Sequence, residues 1–383
     1  MTVWDCVIVG AGPGGASAAY ALAKQGRSVL LLDRAKLPRY KPCGGGVSPQ
    51  IAQWFDFDFS PVISTKVTQL CYTWKMEDTV TADLPPDKAI WMVRREDFDF
   101  FIVQQAQRRG AQLQDETKVQ GVQFQGETWS LETAQGTLQT RYLIAADGAT
   151  GKMAEWLGFR NRKFVLAGAI EIEPKLTPAN AHQAYFEFGL LKNGYVWNFP
   201  KVDGYSIGSG IFRSGKRQPG DLRSSMQVYA AQFGVDSTQV KVCGHPICIW
   251  NGDQTLHTQR ALLAGEAAGV VDPLTAEGIR PAIFSGLKAG EAIEAALSGD
   301  PHALPRYTEI IAQEWGTQMR WAQRIAWLMY SFPQLAYQVV IKHPTGSDRM
   351  VEIFAGELAY GDVADRVVQK FKSKLGSVSF PGL

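Results

Sequence analysis

The sequence has few of the features that mark a metalloenzyme, a disulfide-rich secreted protein or a nucleic-acid-binding protein. Its five cysteines, at positions 6, 43, 71, 243 and 248, form no CxxC pair, and its five histidines do not cluster. This spacing argues against a zinc site and a disulfide framework and favours a reducing compartment. Lysine and arginine total 39 against 37 acidic residues, a net charge of +2. We therefore expect neither a metal nor a nucleic-acid partner.

Long apolar runs are also missing from the sequence. No uninterrupted stretch approaches the ~20 residues that a membrane-spanning helix needs. Residues 1–12 lead directly into a strand and a glycine turn, without a cleavable apolar segment. The sequence therefore predicts a cytoplasmic protein, with peripheral contact to a membrane as a further possibility. Aromatic residues, by contrast, are plentiful, with 11 Trp and 19 Phe among 383 residues, and 45% of the chain is hydrophobic.

The first fifty residues carry the pattern of a dinucleotide-binding β-α-β unit. A β-branched apolar run from Val3 to Val9 precedes the glycine loop 10–15 (G-A-G-P-G-G), a helix from Ala16 to Lys24 and a second strand from Arg27 to Asp33. In such a unit the first glycine permits a tight turn, the second admits a pyrophosphate and the third lets the helix pack on the sheet. The acid that ends the second strand accepts hydrogen bonds from ribose hydroxyls. We predict that this unit binds a nucleotide.

Two later segments favour FAD over a nicotinamide cofactor. Residues 141–147 (R-Y-L-I-A-A-D) and 261–266 (A-L-L-A-G-E) are predicted buried strands, each ending in a carboxylate near glycine. Ligands of open α/β sheets bind at these carboxyl ends. With these motifs the chain resembles the FAD-dependent oxidoreductases of the p-hydroxybenzoate hydroxylase-like superfamily. We predict an α/β protein in which a Rossmann-type FAD-binding domain is interleaved with an antiparallel-sheet substrate domain, followed by a C-terminal helical segment.

This resemblance implies roles for individual residues. In the superfamily, the positions of Asp147 and Gly148 lie by the FAD pyrophosphate. Gly265-Glu266 stands where the superfamily has a Gly-Asp pair that contacts the ribityl chain. Glu266 departs from that pattern, although glutamate can also accept a hydroxyl bond. Gly278 would open a helix whose positive N-terminus points at the flavin pyrimidine edge.

Two further motifs narrow the resemblance. Residues 40–48 read Y-K-P-C-G-G-G-V-S, and residues 195–200 read Y-V-W-N-F-P before a G-S-G at 208–210. Together they resemble the geranylgeranyl reductase family, flavoproteins that saturate isoprenoid double bonds. The resemblance implies that Cys43 lies beside the flavin ring and that the aromatic motif belongs to the prenyl-binding domain. For Cys43, a proton-donating or redox role competes with that of a small buried hydrophobe.

The aromatic motif agrees with this resemblance on physical grounds. Tyr195, Trp197 and Phe199 alternate along a predicted strand and therefore share one face. Such a face is suited to packing against an apolar chain, and ordinary core packing is the alternative. The predicted substrate-binding residues are Tyr195, Trp197, Phe199, Pro200, Gly208 and Gly210. The predicted cofactor-binding residues are Gly10, Gly12, Pro13, Gly14, Gly15, Asp33, Arg34, Cys43, Gly44, Gly45, Arg95, Asp147, Gly148, Gly265, Glu266, Gly278 and Ile279.

The predicted domains are not contiguous in the chain. The FAD-binding domain is predicted to comprise residues 1–50, 90–155 and 245–300, and the substrate domain residues 51–89 and 156–244. Residues 301–383 are predicted to be helical, with a loose tail from Lys372. The aromatic stretch from Trp315 to Ile341, broken at Pro333, would roof the substrate tunnel, contact a membrane or simply pack on the domain.

Three functions are compatible with the sequence. The favoured one is an FAD-dependent reductase that saturates carbon-carbon double bonds of a geranylgeranyl-type chain by hydride transfer, with Cys43 as candidate proton donor. The second is a monooxygenase or halogenase, since the motif at Tyr195 resembles the W-x-W-x-I-P run of flavin halogenases. The third is a non-enzymatic flavin- or prenyl-binding protein, suggested by Glu266. The electron donor, NADPH or ferredoxin, the particular isoprenoid and the oligomeric state are left open.

Overall fold

The computed structural model describes residues 2–160, 162–212, 219–356 and 359–362. The predicted loose tail from Lys372 lies outside these residues. In chain order, the strands β1 to β18 are Val3–Val9, Val29–Leu32, Gly46–Val47, Thr65–Val67, Gln69–Trp74, Glu77–Asp83, Ile90–Met92, Gln112–Gln114, Val119–Phe124, Trp129–Thr133, Gly136–Ala145, Phe164–Ile172, Gln183–Phe188, Gly194–Lys201, Gly204–Ile211, Cys243–Trp250, His257–Thr258 and Ala261–Leu263. The helices α1 to α9 are Pro13–Lys24, Arg95–Arg108, Met153–Trp156, Pro219–Ala231, Ile279–Leu297, Ala303–Ile310, Thr317–Ser331, Pro333–Ala336 and Pro344–Ala355.

The first sheet is built around the strand that the sequence predicts at its start. Strands β8, β2, β1, β11 and β18 lie side by side in that order and run parallel, with β17 antiparallel at one edge. All four residues of β2 are buried, as expected for a parallel strand covered on both faces. The amino-terminal half of β11 also pairs with β10, and β10 with β9, in antiparallel hairpins. This is the parallel sheet of the predicted Rossmann-type domain.

The second sheet has seven strands in the order β16-β12-β15-β14-β13-β5-β6. Its neighbours are antiparallel except for β5 and β13, which run parallel with Gln69 opposite Gln183. A parallel pair requires a long crossover connection, and here the chain between the two strands passes through the first sheet. The observed architecture confirms the predicted α/β fold class, with one parallel pair in the otherwise antiparallel sheet.

The predicted domain boundaries stay a prediction, and the strands show where one of them falls. Strand β16 begins at Cys243 and pairs with β12 in the second sheet. The predicted boundary at residue 245 therefore falls inside this strand. The buried core is continuous across the two sheets, and a smaller apolar cluster lies between α4 and the second sheet.

A third sheet, of three short strands, holds the cysteine-containing loop in place. Strand β7 pairs with β3 on one side and with β4 on the other. The loop that precedes β3 is thereby tied to the segment after β7, where the Val93 N–H donates to the Gly45 carbonyl over 2.8 Å. This arrangement fixes residues 43–46 between the two larger sheets.

The carboxyl-terminal helices pack against the rest of the molecule through buried aromatic residues. The Trp315 Nε1–H donates to the Val270 carbonyl at 2.9 Å, and the Tyr330 hydroxyl to the Leu274 carbonyl at 2.6 Å. Tyr337 is also buried, and its hydroxyl donates to the Tyr72 carbonyl. Within the described part of the chain, no helix combines the length and the apolar character needed to cross a membrane.

Candidate active site

A cavity of about 730 Å³ lies at the carboxyl ends of β1, β2, β11 and β18, next to the start of α1. Its volume is in the range of small-molecule and cofactor sites. Fourteen of the seventeen predicted cofactor-binding residues line it. They are Gly10, Gly12, Pro13, Gly14, Asp33, Arg34, Cys43, Arg95, Asp147, Gly148, Gly265, Glu266, Gly278 and Ile279. We call this space the cofactor cavity.

The glycines of the loop 10–15 have two different roles, one in the cofactor cavity and one in the packing of α1. A Cβ atom added at Gly12 would meet only Arg39, at 3.6 Å, so this side of the loop is open. A Cβ at Gly15 would lie 1.9 Å from the Gly10 carbonyl oxygen, so Gly15 lets α1 pack against the loop and does not line the cavity. Helix α1 starts at this cavity, and the backbone N–H groups of a helix N-terminus are suited to bind an anion such as a diphosphate.

The charges around the cofactor cavity suit an anionic ligand. Its basic lining residues outnumber the acidic ones, which are Asp33, Asp147 and Glu266. The basic ones are Arg34, Arg39, Lys41, Arg95, Lys118 and Lys152. Such a surplus favours binding of a nucleotide diphosphate, whose oxygens form charge-assisted hydrogen bonds.

Both carboxylate oxygens of Asp33 accept hydrogen bonds from the protein itself. Its Oδ2 accepts the Ala11 N–H at 2.9 Å and lies 3.4 Å from Arg39 Nε, while Oδ1 accepts the Ala35 N–H at 2.9 Å. The Arg39 guanidinium also forms an ion pair with Asp99, with 3.5 Å between Nη1 and Oδ2. The sequence pattern did not indicate Arg39, which lies six residues beyond the strand-end acid with no motif around it.

Asp147 offers a buried acceptor that the protein itself does not use. Its Oδ2 accepts the Met153 N–H at 3.0 Å, whereas its Oδ1 is buried with no hydrogen-bond partner among the described residues. Burial raises the pKa of this carboxyl group. A buried oxygen without a partner is unfavourable, so its position beside the glycine loop fits a donor that a bound nucleotide would supply.

Glu266 has a contact that explains its length. Its Oε1 accepts the Cys248 N–H at 3.1 Å, and Oε2 lies 3.9 Å from Lys41 Nζ. The extra methylene of glutamate lets the carboxylate reach strand β16 while it still lines the cavity. Taken together, the open glycine loop, the cationic lining and the unpaired Asp147 oxygen fit FAD.

A second, apolar cavity of about 130 Å³ adjoins the first. Tyr195, Trp197 and Phe199 line it along one face of β14, where the alternating pattern placed them. Three further aromatic residues that the motif did not include, Phe186, Phe212 and Phe354, complete the wall. We call this space the aromatic cavity. The residues that line both cavities are Cys43, His245, Ile247, Ala276, Gly278 and Ile279.

The other predicted substrate-binding residues support the aromatic wall from behind. Pro200, Gly208 and Gly210 are not among the residues that line the aromatic cavity. A Cβ at Gly208 would lie 2.2 Å from the Trp197 ring, and one at Gly210 would lie 2.2 Å from the Phe212 ring. These glycines therefore leave room for the rings, which is a different role from the predicted contact.

Of the alternatives for the aromatic stretch from Trp315 to Ile341, packing on the domain agrees with the structure, and a roof over the aromatic cavity does not. Trp321, Trp327, Met329, Tyr330, Phe332 and Tyr337 are all absent from the lining of the aromatic cavity. Phe354 of α9 closes that cavity instead, with its ring centroid 5.3 Å from that of Phe186. The segments that carry these six residues pack beside the aromatic wall, where the ring centroid of Tyr330 lies 6.4 Å from that of Phe212.

We expect Gly208→Ala to destabilise the protein and displace the Trp197 ring. The new methyl group would also lie 2.6 Å from the Ile170 backbone carbonyl, which cannot rotate away. Overpacking of this kind costs about 2–3 kcal/mol. The control is Gly168→Ala in the adjoining β12, where an added Cβ meets nothing within 4 Å. Urea unfolding should separate the two variants, and equal stabilities would contradict the assigned role.

The cysteine-containing loop, residues 43–46, packs closely against β14 and against the segment after β7. A Cβ at Gly44 would lie 2.6 Å from the Phe199 ring, and Gly45 adopts φ +71° with its Cβ position 2.1 Å from the Val93 carbonyl oxygen. Both glycines line the aromatic cavity, and neither lines the cofactor cavity in which they were predicted. The Gly45 N–H donates to Cys43 Sγ at 3.4 Å, so the loop also orients the thiol.

Two buried charged residues secure this loop, and the sequence motifs did not include them. The Lys201 ammonium donates to the Gly44 carbonyl at 2.6 Å and to the Val93 carbonyl at 2.8 Å. Glu171 Oε1 accepts the Cys43 N–H at 2.7 Å. Burial raises the pKa of Glu171 and lowers that of Lys201 to about 8. Lys201 follows Phe199 by two residues on the same strand face, so the alternation could have identified it.

The burial of Lys201 leads to an expected pH dependence. Its folded-state pKa of about 8 lies below the ordinary 10.5, so between these values the unfolded chain binds a proton that the folded protein lacks. Stability from this group therefore rises with pH. From about pH 8 to 9.5, the free energy of unfolding of the wild type should gain on that of Lys201→Met by up to ~1.4 kcal/mol per pH unit. Parallel pH profiles in urea unfolding would contradict this.

Arg95 is fixed inside the cofactor cavity. It is buried and forms a bidentate ion pair with Asp99, with both N–O distances 2.8 Å. Although burial opposes its charge, Asp99 and the neighbouring Cys43 raise the pKa of Arg95. Although Arg95 is the first residue of α2, it is therefore not a solvent-exposed arginine at a helix start.

Comparisons with known proteins agree with this geometry. Residues 4–194 match the model of the FAD binding domain family. A digeranylgeranylglycerophospholipid reductase of Methanocaldococcus jannaschii is 29% identical over 311 residues, covering 77% of this chain and 78% of the relative. A geranylgeranyl diphosphate reductase of Rhodobacter capsulatus is 29% identical over 328 residues, covering 82% and 81%.

Solved structures with the same fold include proteins of more than one activity. A geranylgeranyl bacteriochlorophyll reductase-like protein of Thermoplasma acidophilum superimposes with a TM-score of 0.79 at 18% identity, covering 98% of each chain. A flavin-dependent brominase superimposes with a TM-score of 0.74 at 17% identity, covering 97% of this chain and 100% of its own. At these identities the likeness shows the fold alone.

The fold, the cofactor cavity and the family match define an FAD-dependent oxidoreductase. The curated relatives narrow the class further. The chain belongs to the geranylgeranyl reductase family of FAD-dependent oxidoreductases.

Proposed function

We propose that the protein saturates carbon-carbon double bonds of an isoprenoid chain held in the aromatic cavity. The observation that carries this proposal is the wall shared by the two cavities, which includes Cys43. A substrate in the aromatic cavity would lie directly beside a cofactor in the other. The aromatic rings around it offer apolar contacts and few hydrogen-bonding groups, as a polyprenyl chain requires.

The residues proposed to hold FAD are the fourteen predicted ones that line the cofactor cavity. The glycine loop at the start of α1 and the cationic side chains would take the diphosphate. Asp147 would use its unpaired Oδ1 to accept a hydrogen bond. When bound and reduced, FAD supplies a hydride to one carbon of the alkene.

Cys43 is the proposed source of the proton that the second alkene carbon needs. Its thiol gives up the proton to that carbon while the hydride adds to the first, and solvent then returns a proton to the sulfur. An isolated alkene is not polarised, so orientation and exclusion of water must contribute much of the rate. Lys201 and Glu171 contribute by holding the backbone on either side of the cysteine.

The substrate class is proposed from the cavity and from the activities that the relatives are named for. One relative is named for a diphosphate and the other for a glycerophospholipid, and both names share the geranylgeranyl chain. The chain itself is therefore the chemistry that the aromatic cavity is proposed to recognise, and the head group is the variable part.

The test is an anaerobic one. The protein is loaded with FAD and reduced with dithionite, so that the result does not depend on whether NADPH or ferredoxin is the natural donor. Addition of geranylgeranyl diphosphate, or of a geranylgeranylated lipid, should reoxidise the flavin and add two hydrogens to the product for each turnover. Reoxidation by oxygen alone, with a hydroxylated or halogenated product, would overturn the proposal in favour of a monooxygenase or halogenase. Bound isoprenoid without any turnover would indicate the binding-protein alternative.

A further inference from the structure

His245 occupies the wall between the two cavities and has no role in the proposed reaction. It lies near the start of strand β16, opposite Ala169 of β12, and it lines both the cofactor cavity and the aromatic cavity. Its Nδ1 atom is buried and has no hydrogen-bond partner among the described residues. A buried polar atom left in this way is unfavourable, so a native structure usually supplies a partner.

We propose that His245 is a further FAD-binding residue, whose uncharged imidazole forms a hydrogen bond with the flavin-ring end of the cofactor. The partner that Nδ1 lacks would then be provided by the ligand. This inference requires only that FAD occupies the cofactor cavity. It does not depend on the proposed reduction of an isoprenoid, and it would hold equally for a monooxygenase.

The two ends of the cofactor cavity differ, and His245 lies at the end that faces the substrate. The glycine loop, with Gly12 open to the cavity, provides the anion-binding end. The opposite end is the wall shared with the aromatic cavity. The flavin ring is the part of FAD that must reach a substrate, whereas the adenosine and diphosphate only anchor it. The ring end therefore belongs at this shared wall, beside His245.

The charges around His245 keep its ring neutral. Burial, together with Lys41 and Arg95, lowers the pKa of His245 to about 3. Of the nearby carboxylates that line the two cavities, Glu266 contacts the Cys248 N–H and Lys41. Glu277 pairs with Arg280 through Oε2, while its Oε1 is buried without a partner among the described residues. No carboxylate among the described residues forms an ion pair with His245. A neutral imidazole offers both a donor and an acceptor nitrogen.

The experiment compares ligand affinity and stability in the flavin-free protein. FAD and ADP are titrated by fluorescence or calorimetry into the wild type, His245→Leu and His245→Asn. His245→Leu should raise the Kd of FAD by about tenfold or more. It should leave the Kd of ADP within about twofold, since ADP reports only the diphosphate end. His245→Asn keeps polar atoms near the Nδ1 position and should bind FAD within about threefold of the wild type.

The stability of the flavin-free protein provides a second readout. Because Nδ1 lacks a partner, His245→Leu should unfold at the same temperature as the wild type or a higher one. The matched control is His257→Leu, whose wild-type Nδ1 lies 2.8 Å from the Thr308 hydroxyl. That variant should lose stability and keep its FAD affinity.

Four results would overturn the inference. The first is an unchanged Kd of FAD in His245→Leu. The second is an equal loss of FAD and ADP affinity, which would indicate general distortion of the cavity. The third is destabilisation or failure to fold of flavin-free His245→Leu, which would make the histidine a structural residue. The fourth is a wild-type Kd of FAD that tightens about tenfold between about pH 8 and pH 6, which would contradict the neutral imidazole.

Discussion

Gly12→Ala is expected to weaken FAD binding by about 100-fold or more while leaving the flavin-free protein as stable as the wild type. Gly12 has φ −77°, which alanine adopts without strain, and an added Cβ meets only Arg39 at 3.6 Å. The methyl group would occupy the space through which a diphosphate approaches the backbone. The loss therefore appears only when the ligand binds.

Gly15→Ala should behave in the opposite way. Its Cβ would lie 1.9 Å from the Gly10 carbonyl oxygen, so α1 would have to move away from the glycine loop. We expect a loss of about 3 kcal/mol in the free energy of unfolding of the flavin-free protein. Urea unfolding without FAD and FAD titration of the folded variants measure the two effects. If Gly12→Ala were equally destabilised, or bound FAD normally, the division of roles within the loop would be wrong.

Cys43→Ala is expected to slow isoprenoid-dependent reoxidation of the reduced enzyme by about 10²–10⁴-fold. The variant loses the proposed proton donor but keeps the loop, because Lys201 and Glu171 hold its backbone and not its thiol. Because Cys43 also lines the cofactor cavity, the rate is measured at saturating FAD, where dithionite reduction of the bound flavin should change little. Anaerobic stopped-flow spectroscopy of the flavin absorbance gives the rate directly.

The control for this experiment is Cys71→Ala in β5. Cys71 is also a free cysteine, but it is buried and lines neither the cofactor cavity nor the aromatic cavity. It should reoxidise at the wild-type rate. If Cys43→Ala reoxidised at that rate as well, the proton would have to come from another group, and the catalytic role proposed for Cys43 would fail.

Local patterns carried most of what the sequence could predict. The strand from Val3 to Val9 and the helix after the glycine loop were predicted from neighbours in the chain, and the structure contains both. The predicted α/β fold class is also confirmed. The alternation of Tyr195, Trp197 and Phe199 likewise placed their side chains on one face. Two-residue and helical periodicities are properties of short segments and can be read without knowing the fold.

The parts that the sequence did not indicate depend on contacts between distant segments. Phe354 completes the aromatic cavity from α9, and no motif surrounds it. Glu171 reaches the Cys43 N–H from another sheet, where a lone glutamate in an apolar strand carries no signal. His245 likewise stands alone in its strand. The sequence motif included Gly208 and Gly210, but only the packing of the Trp197 and Phe212 rings against them explains why glycine is needed there.

The parallel pairing of β5 with β13 bears on how the protein is made. Gln69 finds its partner Gln183 only after the intervening chain has been synthesised, and the last strand of that sheet ends at Trp250. The cofactor cavity draws its lining from Val9 through Ala282. Contacts so far apart in the chain form slowly, and no amino-terminal fragment that ends before Ala282 contains the whole lining of the cofactor cavity. We therefore expect FAD to be captured late in biosynthesis, and a chain stalled before α5 to expose an incomplete cavity to chaperones and proteases.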